Sequence, residues 1–214
     1  MEPDREAARR FLGIDNDVPV LAVLPGSRRS EVERLARPFL QTAQACAERL
    51  PDLHVVAPLV NESTLQLWQQ QRNIHAPELK VLERLHASHQ VLAAADVVLT
   101  ASGTATFEAL LSKRPMVVGY KLNALTYMIA KWLRLIKLEH VAMANLLAGE
   151  ELAPEFIQSA CEPQNLVPAV MDFFLKPERV DTVKARYRQL HSELALDTNR
   201  LAAEAVMQLL RERS

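Results

Sequence analysis

The sequence predicts an α/β protein built on a doubly wound parallel, Rossmann-like sheet with a helical C-terminal extension. Three observations carry that expectation. Short valine-rich apolar runs alternate with stretches of helical periodicity from residue 18 to residue 120. Two of those runs end in glycine-bearing turns that open into helices. After Tyr120 the strand-like runs stop and helical patterns take over. Strands alternating with helices imply right-handed crossovers, hence a parallel sheet covered on both faces.

The elements follow in order. Gly13 closes a short first helix. "VPVLAVLP" (18–25) reads as a strand buried on both faces. From Ser30 the spacing becomes helical, with Val32, Leu35, Phe39, Ala43 and Cys46 on one face. Ser30 and Glu33 form the S-x-x-E pattern of a capping box, which sets the expected helix start. Pro38 falls inside this helix, where a proline is expected to kink it. "LHVVAPLV" (53–60) is the second strand and "ESTLQLWQQQR" (62–72) the second crossover helix. "LKVLE" (79–83) and "HASHQVLAAA" (86–95) supply the third strand and its helix. "DVVLTAS" (96–102) runs through Gly103 into "TATFEALLSK", and "PMVVGY" (115–120) is the fifth strand. Beyond it, 123–136 reads as an apolar helix, "NLLAGEEL" as a loop entering another helix, and 163–175 and 178–212 as helices. The chain divides into a domain over 1–160 and a helical extension over 161–214 that packs on it or on a partner.

Composition narrows the function. The chain has 214 residues, 49% hydrophobic and 24% charged, enough to build a core and too apolar for disorder. A net charge of −1 lacks the cationic footprint of a general nucleic-acid binder. The two cysteines, Cys46 and Cys161, make no disulfide framework, which fits a reducing compartment. The charged start "MEPDREAARRFLG" has no apolar core of a signal peptide, and no stretch reaches the length of a membrane span. The expected location is the cytoplasm, as a soluble or peripheral protein.

In open parallel sheets, ligands bind beyond the carboxyl ends of the strands. "PGSRR" follows the first strand, "ASGTATFE" the fourth and "GYK" the fifth, so all three fall on that edge. At the first turn Gly26 and Ser27 permit close backbone approach, and Arg28 or Arg29 adds a clamp for phosphate oxygens. A plain β–α turn with surface arginines is the competing reading. At the second, Ser102, Gly103, Thr104 and Thr106 surround a helix N-terminus, which suits a phosphate, and the Glu108 carboxylate one turn on suits the paired hydroxyls of a ribose. A capped helix with a favourably placed acid is the alternative there. Neither turn fits Walker A or G-x-G-x-x-G, and no G-x-S-x-G elbow surrounds Ser102.

Together, "LPGSRRSEVERL", "ASGTATFEALLSKRPMVVGYK" and "NLLAGEELAPEFIQ" resemble the C-terminal, donor-binding half of lipid-A-disaccharide synthase, a GT-B glycosyltransferase of family 19, from about residue 10 to the end. The resemblance implies inverting transfer of 2,3-diacylglucosamine from its UDP conjugate to lipid X, the 1-phosphate of the same sugar. It implies a β-1′,6 linkage, release of UDP, no cofactor or metal, and peripheral action at the inner face of the bacterial inner membrane. Carried onto this sequence, Arg28 contacts the diphosphate or organises its loop. Ser102, Gly103 and Thr104 lie along the diphosphate, Glu108 holds the ribose, and Asn145 sits beside the phosphates or sugar. The acceptor and the general base belong to the N-terminal half of such enzymes. No catalytic residue is therefore assigned within 1–214, and this stretch alone is expected to bind UDP without turnover. A UDP-N-acetylglucosamine 2-epimerase, a MurG-like transferase and a non-catalytic interaction module are the alternatives.

Two further features carry expectations. "KLNALTYMIAKWLRLIKL" (121–138) has four cations and no acid, with Tyr127, Lys131, Trp132, Leu133 and Arg134 among apolar residues. Such a stretch suits an anionic membrane surface; packing on the sheet or against a partner subunit competes with that reading, a homodimer interface being the chief rival. His86 and His89 stand three apart with no third ligand at metal spacing, so capping or surface roles are expected of them.

Overall fold

The computed structural model describes residues 3–122 and 140–195. The element order is α1 (Arg5–Leu12), β1 (Val20–Leu24), α2 (Arg29–Arg49), β2 (His54–Leu59), α3 (Glu62–His75), β3 (Val81–Leu85) and α4 (Ser88–Ala94). There follow β4 (Val97–Ala101), α5 (Thr104–Leu111), β5 (Met116–Tyr120), α6 (Met143–Ala148), β6 (Glu155–Ile157), a 3-10 turn over Gln158–Ala160, α7 (Pro163–Leu175) and α8 (Pro177–Leu194). The six strands form one sheet in the order β3-β2-β1-β4-β5-β6, with every pairing parallel. This is the doubly wound arrangement, and its order reverses between β1 and β4.

The strands are where apolar runs demand burial. All of Val20–Leu24 and Val97–Ala101 is buried, because helices cover both faces. Packing of α2 against α3 and α7 covers one face, while α1, α4, α5 and α8 form a second contiguous set. Within the interior, Arg9 is fully buried. Its guanidinium donates to the carbonyls of Asp15, Asn16, Val18 and Ala94 and to the Asp96 carboxylate at 2.9 Å. Asp96 also accepts from the N–H of Val20, so this charged pair fastens α1 to the amino ends of β1 and β4.

Three expectations are corrected. The strands do not stop at Tyr120: β6 adds a sixth, pairing Val118 with Glu155 and Tyr120 with Ile157. It has three residues, set just after Pro154, and is too short for a period to show. "NLLAGEEL" is not a loop entering a helix: Asn145–Ala148 closes α6, Gly149 caps it in the left-handed region, and the chain then runs to β6. Ser30 does not start α2: the N-cap is Arg28, and the helix begins at Arg29. Pro38 is accommodated inside α2, and the Thr42 hydroxyl donates to its carbonyl at 2.7 Å. The expected helix over 123–136, with Tyr127, Lys131, Trp132, Leu133 and Arg134, lies outside the described residues, as does residue 196 onward of the last helix.

Candidate functional site

Because β1 and β4 are neighbours, the two glycine turns that follow them stand side by side. A cleft of about 500 Å³ opens between them at the carboxyl edge of the sheet. Gly26, Ser27, Arg28 and Glu31 form one wall, and Ser102, Gly103, Thr104, Ala105 and Glu108 the other. Pro58 and Val60 from the end of β2, Ser88 from the start of α4 and Tyr120 from the end of β5 complete it.

The first turn needs its glycine. Gly26 has φ +115°, and a Cβ there would stand 2.5 Å from the Cβ of Glu31 and 2.6 Å from its Oε2. That carboxylate folds back onto the turn. Oε2 accepts from the N–H of Ser27 at 3.0 Å and of Arg28 at 3.2 Å, and Oε1 lies 3.4 Å from the Arg28 guanidinium. The Arg28 side chain is otherwise 81% exposed at the mouth of the cleft. Arg29 turns aside, donating to the Ser63 hydroxyl at 3.3 Å.

The second turn also needs its glycine, since Gly103 has φ +133°. No side chain caps α5 and no acid occupies its first turn. Among the described residues the N–H groups of Thr104 and Ala105, which form the positive end of the helix dipole, therefore meet no side-chain acceptor. Around this turn the polar groups are fastened from behind. The Ser102 hydroxyl donates to the carbonyl of Val141 at 3.1 Å. Thr106, buried, donates to the Gly103 carbonyl at 2.8 Å and accepts from the N–H of Met143 at 3.1 Å.

The segment 141–143 is held in turn by Glu155, whose carboxylate accepts from the N–H of Val141 at 2.7 Å and of Ala142 at 3.0 Å. Asn145 belongs to this support. Fully buried, it donates to the Ala153 carbonyl and to Glu155, both at 2.7 Å, and accepts from the N–H of Leu152 and Ala153. It does not line the cleft.

The structure thus gathers Gly26, Ser27, Arg28, Ser102, Gly103, Thr104 and Glu108 around one cleft and sets Asn145 behind its wall. Sequence reasoning missed Glu31, Pro58, Val60 and Ser88. The end of β2 and the start of α4 lie on the same carboxyl edge, so edge position was a usable signal for three of them. Beside the cleft, Lys121 donates to Glu162 at 2.6 Å, and Arg37 does so at 3.2 Å. The Lys121 hydrogen bond holds the Glu162 carboxyl below its ordinary range, against the opposing effect of burial, and the charges of Lys121 and Arg37 add to it. Burial pushes the Cys161 thiol up to about 11 and that of Cys46 to about 12, so neither supplies a thiolate near neutral pH. Among the described residues no group of three or more His, Cys, Asp or Glu side chains is placed to hold a metal ion, and no helix is long and apolar enough to cross a membrane.

The sequence matches the profile of a family described as lipid-A-disaccharide synthetase over residues 1–209. It is 48% identical over 216 residues to the lipid-A-disaccharide synthase of Xanthomonas campestris pv. campestris (strain 8004), covering 99% of this chain and 49% of that protein. With the Xylella fastidiosa (strain 9a5c) protein of the same description it shares 46% over 213 residues, covering 99% and 55%. The chain therefore spans about half the length of the curated relatives it matches. Among solved structures, a glycosyltransferase from Rickettsia africae superposes with a TM-score of 0.62 at 9% identity, over 96% of this chain and 51% of the other. The UDP-GlcNAc 2-epimerase from Neisseria meningitidis bound to UDP-GlcNAc gives 0.56 at 13%, over 88% and 48%. At these identities the likeness is one of fold, and the fold is that of half a GT-B enzyme.

Proposed function

Since the chain belongs to the lipid-A-disaccharide synthetase family, we propose that its cleft binds the UDP-sugar donor of a hexosyl transfer. The reaction is transfer of 2,3-diacylglucosamine from UDP-2,3-diacylglucosamine to 2,3-diacylglucosamine 1-phosphate, with inversion, giving a β-1′,6 disaccharide and UDP. The observation that carries the reading is the pair of glycine turns at the β1/β4 switch point, sharing one cleft with an exposed arginine head and a carboxylate. Arg28 and the first N–H groups of α5 take the diphosphate, Ser102, Gly103 and Thr104 lie along it, and Glu108 accepts from the ribose hydroxyls. As the glycosidic bond breaks, negative charge grows on the β-phosphate. Fixed N–H dipoles and a guanidinium stabilise that charge without needing to reorganise, and no metal or cofactor is invoked. The acceptor and the general base are not assigned to residues of this chain, so the part these residues play is to hold the donor and receive the leaving group. Against an epimerase, a MurG-like enzyme or a bare interaction module, the family match favours this reading.

Acylated substrates favour a reaction at a membrane surface, and the proposed location is the inner face of the bacterial inner membrane. The basic, apolar stretch 121–138 with Trp132 and Leu133 is the proposed contact, and a homodimer interface is its rival. Liposome flotation decides it: Trp132→Glu with Leu133→Glu is expected to abolish co-flotation with anionic vesicles, and equal flotation rejects the contact. For the cleft itself, calorimetric titration with UDP is expected to show one site per chain. Glu108→Ala is expected to weaken it about tenfold while leaving free uridine diphosphate analogues without ribose hydroxyls unaffected. Absence of heat with millimolar UDP overturns the donor site.

A further inference from the structure

Glu31 lines the cleft, yet its carboxylate is spent on the first glycine turn. Two converging N–H groups on a glycine turn, with an arginine beside them, make a site for an oxyanion. Here that site is filled by a group of the chain itself: Oε2 takes the N–H of Ser27 and of Arg28, and Oε1 faces the Arg28 guanidinium. Glycine at 26 is what leaves room, since a Cβ there would stand 2.6 Å from Oε2. The second turn differs in both respects. It has no side-chain cap and no acid in its first helical turn.

We propose that Glu31 is a resident carboxylate that closes the β1–α2 turn to phosphate and directs the donor diphosphate to the β4–α5 turn, leaving Arg28 to act through its side chain alone. The proposal deepens the nucleotide-sugar reading of this cleft and rests on it. A phosphate oxygen and the Glu31 carboxylate compete for the same two N–H groups, and both are anions. Entry of phosphate would expel the carboxylate into the cleft beside a second negative charge, while the first α5 amides can donate to an oxyanion with no side chain to displace among the described residues. Glu31 thereby sets how deep the diphosphate sits and which of its oxygens Arg28 reaches.

The test follows backbone amides by ¹⁵N NMR as UDP is added to the 214-residue chain, with pyrophosphate titrations of two variants beside it. UDP is expected to shift the amides of Thr104 and Ala105 and to leave those of Ser27 and Arg28 in place. Glu31→Ala, which empties the turn, is expected to bind pyrophosphate about tenfold more tightly than the parent chain. Glu31→Gln keeps an acceptor for the helix start and removes the like charge, with an expected gain of about threefold that fades with added salt. Shifts at Ser27 and Arg28 as large as at Thr104, or pyrophosphate affinity unchanged in both variants, overturn the proposal. If UDP moves no amide at either turn, the nucleotide reading of the cleft falls, and the pyrophosphate comparison alone decides the role of Glu31.

Discussion

Asn145 and Arg28 show how differently two residues at one site act. Every polar atom of the Asn145 side chain is used inside the protein, across four hydrogen bonds to Leu152, Ala153 and Glu155. Truncation to alanine strips acceptors and donors from buried backbone groups, each costing about 1–3 kcal/mol when left unsatisfied. Asn145→Ala is therefore expected to lose about 2–4 kcal/mol in urea denaturation, and a loss under about 1 kcal/mol would show that the loop re-pairs without it. Arg28 has the opposite profile. Its ion pair with Glu31 is exposed and worth about 0–1 kcal/mol, so Arg28→Ala is expected to leave stability nearly unchanged. UDP affinity is expected to fall about tenfold or more, because a charge-assisted contact to phosphate is lost. Unchanged UDP binding in a folded Arg28→Ala chain would remove it from the site. The sequence marked both residues as polar groups at the ligand. The place of Arg28 in the cleft wall was legible because its turn is local. The buried setting of Asn145 was not, because its partners are set by where β6 pairs.

At the scale of elements, the parallel strands were readable as continuous apolar runs and the crossover helices by their period. Two kinds of feature were not. "RRSEVE" offers acids at 31 and 33, and the pattern favours Ser30 with Glu33, whereas the bend at Gly26 brings Glu31 back to the turn instead. The strand β6 has no pattern of its own and exists because β5 leaves an open edge beside it. A charged joint lies at Glu162, the N-cap of α7, which receives Lys121 from just past the end of β5 and Arg37 from α2. Its folded pKa lies below the ordinary 4.5, so its contribution is fully present above that value and is lost as pH falls through the lowered folded value. Melting temperature is accordingly expected to decline on acidification below about pH 4.5, and Glu162→Gln to flatten that part of the profile while costing stability at neutral pH. Parallel acid limbs for the two chains would assign the decline to other carboxyls.

At the scale of the whole molecule, the strand order does what no single element can. Residues 24–31 and 101–108 are far apart in sequence and meet because the winding reverses between β1 and β4. The alternation of elements announced a doubly wound sheet, but which turns become neighbours depends on strand order, and that was legible only through resemblance to a known fold. A ligand across this seam ties the half of the sheet containing β1–β3 to the half containing β4–β6. Binding to the folded chain alone stabilises it by about 2.7 kcal/mol when the ligand is at a hundred times its dissociation constant. For a chain of this size each kcal/mol raises the melting temperature by about 2–4 °C, so saturating UDP is expected to add about 5–10 °C. A ligand on one wall and a ligand across both give the same shift, so hydrogen exchange must separate them. Bridging is expected to slow exchange at the carboxyl ends of both β1 and β4 and in the first turn of α5, with β3 and β6 little changed. Protection confined to the β4–α5 side, with β1 unaffected, would show that the seam is not spanned and that Arg28 reaches the nucleotide too weakly to couple the two halves.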